Sequence, residues 1–389
     1  MRYPEAIYVV TARRSPIGRL GGSLKSLSAA DLALPVARAV VPESLLPAVD
    51  QIILGQVLQA AGGMNSARQL GLRLGAPESA PAFTVNMVCA SGMKAIALAA
   101  EAIALGAAAI VLAGGAESMS RTPHYAADLR EGRRLGDLRL TDAIFVDGLT
   151  DPVLRITMGE TAERISDLLR IGRAEQDRFA FRSQQRFAAA RSELRREIVP
   201  VETPEGTVEA DEHPRPDTTL EDLAALKPAF RPGGTVTAGN ASGLNDGAAM
   251  VLLASARGAA IAGLPIRARL VGTSAVGCSP ATMGLGPVGA IRRLCGEIGW
   301  RLAEVDAVEI NEAFAVQALG CAEELGLDPA RLNVRGGAIA LGHPLGGSGA
   351  RIVVTLLHLM EDRNLRRGIA ALCVGGGMGM AVALERDPA

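Results

Sequence analysis

The sequence predicts an α/β protein built from two similar halves, with an irregular segment inserted between them. Short, nearly continuous apolar runs alternate with helical patterns, which is typical of strands buried between helices. From about residue 120 to residue 239 this alternation gives way to charged, proline-rich sequence. Landmarks of the first part then return in the same order in the last part, which indicates an internal duplication.

The composition is that of a compact globular protein. Of 389 residues, 49% are hydrophobic and 21% are charged, and the length suits two or three domains. The net charge of −1 predicts neither a nucleic-acid partner nor an anionic membrane surface. The longest apolar stretch, residues 102–116, is too short and too rich in glycine to cross a bilayer. We therefore expect no membrane association.

The N-terminal sequence and the cysteines indicate the cellular compartment of the protein. The apolar run at residues 6–12 is followed at once by Arg13 and Arg14, so it predicts a first strand and not a signal peptide. The cysteines are odd in number, widely spaced and never form a C-x-x-C pair, which argues against disulfides and a zinc site. They are Cys89, Cys278, Cys295, Cys321 and Cys373. We expect a cytoplasmic protein with no metal.

The first half is predicted to span residues 1–119 and to be completed by about 240–265. Apolar runs at 6–10, 51–58, 82–85, 108–116 and 248–254 predict its strands. Helices are expected from Ser28, at about 65–75, and after Cys89. Ser28 with Asp31 three positions later resembles a capping signal for the first helix.

The inserted segment and the second half follow. Residues 120–239 are interpreted as a loop domain around two helices, at 159–170 and 173–193. Residues 266–389 return to the α/β pattern, with strands at 267–276, 305–310, 369–374 and 379–385. Helices are expected from Val288, from Asn311 and after His343.

Three pairs of stretches carry the proposed duplication. VDQIILGQVLQ at 49–59 matches VDAVEINEAFAVQ at 305–317, and AAIVLAGGAESM near residue 115 matches AALCVGGGMGM near residue 375. TVNMVCASGMKAIA matches NVRGGAIALGHPLGGSGARI, since each places a reactive candidate and then Ser-Gly before a long helix. Pseudo-twofold packing would therefore bring Cys89 and His343 together.

The stretch NMVCASGMKA places Cys89 between a strand and a helix. Unpaired N–H groups and the helix dipole favour negative charge there, so the pKa of the thiol is expected to fall. Such a thiol would be a nucleophile. The alternative is a small buried cysteine that closes a strand-to-helix turn.

Three further stretches contain candidate reactive groups. His343 lies in GHPLGGSGAR, where glycines allow a ligand or another chain to approach, although a loop histidine is often only structural. Cys373 precedes three glycines whose backbone N–H groups could bind an oxyanion; a tight turn with a buried cysteine is the alternative. Asn311 in NEAFA stands between a strand and a helix, where it could equally be an N-cap.

Together these motifs closely resemble the thiolases, and specifically the acetyl-CoA acetyltransferase type. The resemblance covers essentially the whole chain. Its anchors are NMVCASGMKA, TVTAGNASGLNDGAA, NEAFA, GGAIALGHPLGGSGAR and CVGGGMG, in family order and spacing. It implies the thiolase fold, with two α/β halves in pseudo-twofold layers and a loop domain. It also implies acetyl transfer between acetyl-CoA and acetoacetyl-CoA, a step of lipid metabolism and fatty-acid β-oxidation.

The resemblance also implies the catalytic roles. Cys89 would accept the acyl group as a thioester, and His343 would activate it and help bind the thioester oxygen. Cys373 would move the α-proton of the second acetyl-CoA. Asn311 would hold a water that completes the first oxyanion hole, and the N–H groups of Cys89 and Gly375 would form the second.

The implied substrates are acetyl-CoA, CoA and 3-oxoacyl-CoA, with no separate cofactor. The matching CoA-binding positions are Leu149, Met158, Arg215, Phe230, Ala238, Ser242, Leu244 and Phe314. Arg215 would face the nucleotide end, and the alternative for it is a solvated charge. The segment Arg130 to Leu140 falls where tetrameric members join their dimers, so the resemblance implies a homo-oligomer, either a dimer or a tetramer.

One departure concerns the acyl chain. Thr157-Met158-Gly159 stands where the biosynthetic enzymes usually have His-Met-Gly, which leaves room for a degradative thiolase acting on longer 3-oxoacyl-CoA or 3-oxoadipyl-CoA. A β-ketoacyl synthase would carry a second histidine in place of Cys373. A non-catalytic acyl-CoA-binding relative would be expected to have lost one of the reactive groups.

Overall fold

A computed structural model describes residues 1–387. Its strands are β1 Arg2–Arg14, β2 Gly18–Arg19, β3 Gln51–Gly55, β4 Ala82–Val85, β5 Ile110–Ser118, β6 His124–Tyr125, β7 Thr141–Asp142, β8 Val201–Thr203, β9 Gly206–Val208, β10 Asn245–Ala254, β11 Ala268–Gly277, β12 Ala307–Ile310, β13 Arg367–Val374 and β14 Met378–Glu385. Its α-helices are α1 Ala29–Val40, α2 Ser66–Leu74, α3 Ser91–Ala104, α4 Met158–Leu169, α5 Arg173–Arg195, α6 Leu220–Ala225, α7 Ala256–Ala262, α8 Gly286–Ile298, α9 Ala315–Leu325, α10 Ala338–Leu341 and α11 Leu345–Asp362. Short 3₁₀ turns and a π-helical turn, Ile144–Leu149, connect some of them.

The large strands pair in the order β12-β13-β14-β11-β1-β10-β5-β3-β4. In the first half β4 and β5 run parallel to β3, and β10 is antiparallel to both β5 and β1. The second half repeats this pattern, with β12 parallel to β13 and β14 antiparallel to both β13 and β11. A parallel bridge between Val308 and Leu332 takes the place that β4 has in the first half. The duplication predicted from the sequence is therefore present in the strand pairing.

Helices α3 and α11 form the central layer of the molecule. Their apolar side chains share one buried cluster with first-half strand residues such as Ile53 and Val251 and with second-half residues such as Leu372 and Val382. Helices α1 and α2 cover the outer face of the first half, and α8 and α9 cover that of the second half. The strands of the two halves therefore both pack on the central helices, and each half carries further helices on its outer face, as the predicted pseudo-twofold layers require.

Glycines bring the central elements into direct backbone contact. A Cβ atom on Gly115 of β5 would lie 2.0 Å from the carbonyl oxygen of Gly346, and one on Gly92 of α3 would lie 2.7 Å from the same oxygen. A Cβ on Gly349 would meet the backbone nitrogen of Met93 at 2.6 Å. Any larger residue would therefore push α11 away from α3 and β5.

Local signals for helix ends are met in most places. Ser28 caps α1 with a reciprocal capping box to Asp31, as predicted. The helix expected from Asn311 begins instead at Ala315 and has Phe314 at its N-cap, so Asn311 is not a cap. The chain needs these extra residues because it leaves β12 through an extended segment whose side chains are buried.

The inserted segment contains α4, α5, α6 and two short hairpins, β6-β7 and β8-β9. The two long helices match the predicted ones to within two residues. The predicted boundaries of the three parts, at residues 119, 239 and 266, stay predictions. Within residues 1–387 no helix is long and apolar enough to cross a membrane.

We predict that Gly115→Ala lowers the thermal unfolding midpoint, because the added methyl group would overlap the backbone of Gly346. Overpacking of this kind costs about 1–3 kcal/mol. The matched control is Gly296→Ala in α8, where the position is exposed and a Cβ meets nothing within 4 Å. That change should be neutral or stabilising by up to ~1 kcal/mol, since alanine favours helix more than glycine does. Equal midpoints for the two variants would contradict the packing described.

Candidate active site

Cys89 lies in a tight turn between β4 and α3. The side chain of Asn86 accepts a hydrogen bond from the Val88 backbone N–H at 2.9 Å, and Ser91 donates to the Val88 carbonyl at 2.6 Å. Val88 has a φ of +46°, which is strained for a β-branched residue. The surrounding bonds hold this strain, which presents Cys89 immediately before the first turn of α3.

The pKa of the Cys89 thiol is raised to about 11, chiefly because burial disfavours the thiolate. Backbone N–H groups of Gly375 and of Cys89 itself point at the sulfur and lower the pKa, while the nearby Glu117 carboxylate raises it. The residue as a whole is only half-buried, but its sulfur lies among protein atoms. The predicted fall in pKa is therefore wrong for the unliganded site, because desolvation outweighs the helix N-terminus.

His343 lies between α10 and α11 and is held on two sides. Its backbone N–H donates to the Asn245 side chain at 2.9 Å, and its Nδ1 lies 2.6 Å from the Ser348 hydroxyl oxygen. Burial and the nearby Arg351 lower the pKa of His343 to about 3, so the imidazole is neutral at physiological pH. Its Nε2 is buried and has no hydrogen-bond partner among residues 1–387.

Asn311 lies behind His343, at the end of β12. Its Nδ2 is 3.4 Å from Nδ1 of His343, and its Oδ1 accepts a hydrogen bond from Arg351 at 3.3 Å. It is 1% exposed and does not line the cavity described below. Asn311 therefore lies next to the imidazole on its Nδ1 side, and its implied role of holding a water stays a prediction.

Cys373 is the second-last residue of β13 and is 1% exposed. Burial, and to a lesser extent Cys89, raise the pKa of its thiol well above the usual range. Gly375 follows the strand, and Gly376 and Gly377 have φ values of +83° and +84°, which favour glycine. This turn carries the Gly375 N–H to the Cys89 sulfur.

Cys89, His343 and Cys373 line one mainly apolar cavity with an empty volume of about 690 Å³, counting its open mouth. Six of the eight predicted CoA positions line it too, namely Leu149, Met158, Phe230, Ser242, Leu244 and Phe314. The two halves and the inserted segment thus all contribute to the cavity.

Arg215 and Ala238 are not brought to this cavity. They line a second pocket of about 560 Å³, which also contains His213 and Leu226. The two pockets are neighbours, because the His213 ring packs against Gly243, a residue of the first cavity. Arg215 is exposed, and its backbone N–H donates to Gln184 at 2.9 Å.

Several residues that line the cavity were not predicted from the sequence. They are Phe145, Gly148, Ala241, Gly243, Met283, Ala313 and Leu345. Most stand next to residues that were predicted, so the motifs could have suggested them. Phe145 and Met283 come from the π-helical turn and from a 3₁₀ turn at Pro280–Leu285, and no motif marks them.

Thr157 lines the cavity and also caps α4. Its hydroxyl donates to Glu160 at 2.9 Å and accepts from the Glu160 N–H at 3.4 Å, which completes a capping box. The same threonine therefore shapes the acyl end of the cavity and fixes the start of α4.

Comparisons with known proteins cover nearly the whole chain. The family model for the thiolase N-terminal domain matches residues 7–257, and that for the thiolase C-terminal domain matches residues 264–386. An acetyl-CoA acetyltransferase of Pseudomonas aeruginosa is 48% identical over 98% of this chain and 99% of its own length. A probable acetyl-CoA acetyltransferase of Escherichia coli is also 48% identical, with the same coverage.

Solved structures are similar over the full length. The acetyl-CoA acetyltransferase of Bacillus anthracis is 43% identical with a TM-score of 0.95, covering 99% of this chain and 100% of its own. Human mitochondrial 3-ketoacyl-CoA thiolase in complex with CoA is 42% identical with a TM-score of 0.96, covering 100% and 99%. By its sequence, its fold and its relatives, this chain belongs to the thiolase family.

Proposed function

We propose that this thiolase transfers an acetyl group between CoA thioesters through a covalent thioester on Cys89. The observation that carries the proposal is that Cys89, His343 and Cys373 line one cavity although they come from both halves of the chain. All the groups that the reaction needs are present. A non-catalytic acyl-CoA-binding protein is therefore the weaker interpretation.

In the first half-reaction the Cys89 sulfur attacks the carbonyl carbon of acetyl-CoA. The thiol proton passes to Nε2 of His343, the new S–C bond forms, and the bond to the CoA sulfur breaks. The departing CoA sulfur takes its proton from the Cys373 thiol, which leaves a Cys373 thiolate and an imidazolium on His343 for the second half-reaction. The developing oxyanion is bound by the protonated imidazole together with a water held by Asn311.

In the second half-reaction a new acetyl-CoA loses an α-proton to the Cys373 thiolate. The carbanion attacks the acetyl carbonyl on Cys89, and the bond to the Cys89 sulfur then breaks to release acetoacetyl-CoA. The released sulfur takes the proton held by His343, so every group returns to its starting state. The N–H groups of Cys89 and Gly375 bind the oxyanion, an assignment supported by their orientation toward the Cys89 sulfur. Thiolysis follows the same steps in reverse.

The protonation states support a concerted first step. With a thiol pKa of about 11 and an imidazole pKa of about 3, Cys89 and His343 are both neutral between these values. A standing thiolate-imidazolium pair would need these two pKa values in the opposite order. Proton transfer to His343 therefore accompanies the attack, when the carbonyl begins to accept charge.

CoA and acyl-CoA are proposed as substrates, without any further cofactor. We place the acyl and pantetheine parts in the cavity that holds Cys89, and the nucleotide end toward the pocket of Arg215 and Ala238. The small residues Ala241, Ser242 and Gly243 leave space for a narrow thioester arm along the cavity wall. The relatives' names support CoA substrates of this kind.

A longer 3-oxoacyl-CoA, including 3-oxoadipyl-CoA, is the second candidate substrate. Thr157 lines the cavity where the resemblance implies a histidine, so the wall at this position is smaller and adds no titratable group. The similar human enzyme is named a 3-ketoacyl-CoA thiolase, which supports this alternative.

We further propose that the protein works in the cytoplasm, in lipid metabolism, as a homo-oligomer. The segment that the resemblance assigns to contacts between dimers exposes apolar side chains, with Leu135 at 86% and Leu138 at 48%. Exposed leucines this close together are unusual on a monomer surface. They favour a tetramer over a dimer.

We predict that Cys89→Ala abolishes acyl-enzyme formation, because alanine cannot form the thioester. Intact mass spectrometry after mixing with acetyl-CoA should show a gain of one acetyl group in the wild type and none in the variant. The control is Cys295→Ala, which removes a buried thiol from the outer face of the second half. That control should be acetylated normally, and an acetylated Cys89→Ala protein would refute the assignment of the nucleophile.

Chain length is tested by thiolysis of a panel of 3-oxoacyl-CoA esters from acetoacetyl to 3-oxoadipyl. We expect acetoacetyl-CoA to have the highest kcat/KM, and Thr157→His to reduce turnover of the longer esters by narrowing the cavity. Thr157→Asn is the matched control, because asparagine can still cap α4. Loss of the N-cap would lower the free energy of unfolding by about 1 kcal/mol. A strong preference of the wild type for a long or dicarboxylic chain would overturn the acetyl assignment.

The oligomer is tested by light scattering after gel filtration. Leu135→Asp should convert tetramers into dimers, because it places a charge in the proposed contact. Leu105→Asp is the control, as Leu105 is 84% exposed at the end of α3. A wild-type protein that is monomeric at micromolar concentration would contradict the proposal.

A further inference from the structure

We infer that Ser348 is a positioning residue, whose hydroxyl accepts the Nδ1–H of His343 and thereby keeps Nε2 unprotonated for the thiol of Cys89. This inference rests on the proposed function for its catalytic meaning. It concerns a residue of α11 that does not line the cavity and acts only through the imidazole.

The hydrogen bonds of Ser348 determine where its proton lies. Its Oγ is 2.8 Å from the carbonyl oxygen of Pro344 and 2.6 Å from Nδ1 of His343, and the side chain is fully buried. We assign the hydroxyl proton to the carbonyl oxygen of Pro344, which can only accept and which also accepts the backbone N–H groups of Gly347 and Ser348. Oγ then has only lone pairs for His343, and the short contact requires a hydrogen on Nδ1.

A competing contact would favour the other tautomer. Arg351 donates to Oδ1 of Asn311, which orients the amide so that its Nδ2 faces His343. An N–H donor at that position would favour the tautomer in which Nδ1 carries no hydrogen and accepts the bond. However, this contact measures 3.4 Å, against 2.6 Å for Ser348, so the serine decides the tautomer.

The same hydrogen bond serves both protonation states of His343. When Nε2 takes the thiol proton, Nδ1 still carries its hydrogen, and Oγ can accept it without any rotation of the hydroxyl. The bond is then charge-assisted and therefore stronger. It partly offsets the unfavourable effects of burial and of the neighbouring Arg351 on the imidazolium.

The test is the rate at which iodoacetamide alkylates Cys89, followed peptide by peptide with mass spectrometry from pH 5 to pH 10. This reaction needs the thiol and the imidazole but no CoA thioester, so it is independent of the proposed substrate. Ser348→Ala should slow alkylation at neutral pH by about 10- to 100-fold, by analogy with the loss of a hydrogen-bond partner behind a metal-ligating histidine. The difference should shrink toward high pH, where the thiolate forms without the base.

The matched control is Thr355→Val, which removes another buried hydroxyl of α11. Thr355 bonds to Glu197 at 3.0 Å and does not contact His343, so its loss should leave the alkylation profile unchanged. Ser348→Cys keeps the shape of the side chain with a weaker acceptor, and it should give an intermediate rate. This second variant keeps the test informative if Ser348→Ala folds poorly.

A double variant separates positioning from general structural damage. In a His343→Ala background, adding Ser348→Ala should cause no further loss of the alkylation rate. An equal loss in both backgrounds, or a wild-type rate for Ser348→Ala and Ser348→Cys alone, would overturn the inference. In thiolysis assays the serine variants should lower kcat and leave KM nearly unchanged. If the wild type itself does not catalyse thiolysis, the proposed function is refuted and not the inference on Ser348.

Discussion

The site depends on the direct backbone contact between α3, α11 and β5. Gly92, Gly115 and Gly346 meet there without side chains between them, so the two central helices can begin next to each other. Cys89 precedes the first turn of α3, and His343 precedes that of α11. The duplication therefore does more than repeat a fold, because it places the two counterpart loops at one point, one carrying a thiol and the other an imidazole.

Burial then sets the chemistry of these groups. In this mainly apolar cavity the charged forms of Cys89, Cys373 and His343 are all disfavoured, which keeps the resting site neutral. The same low polarity strengthens every hydrogen bond that forms to a charge developing during the reaction. The groups that orient the reactive side chains, such as Ser348 and Arg351, lie behind them on α11, away from substrate.

Much of this could be predicted from the sequence, and the exceptions have physical causes. The strands, the central helices and the meeting of Cys89 with His343 follow from apolar runs and repeated landmarks. The pKa of Cys89 could not be predicted, since a helix N-terminus is visible in sequence but the depth of burial around a sulfur is not. The separate location of Arg215 and Ala238 depends on how the inserted segment folds back, for which the sequence contains no periodic signal.

The high pKa of Cys89 also affects the enzyme between turnovers. Peroxides and soft metal ions attack the thiolate far more readily than the thiol, and a pKa of about 11 leaves little thiolate in the empty site. In many enzymes the nucleophile is held permanently in its activated form, so peroxides and metal ions inactivate it easily. Here the neighbouring imidazole takes the proton as the thiol attacks a carbon electrophile, so little thiolate stands exposed to oxidants between turnovers.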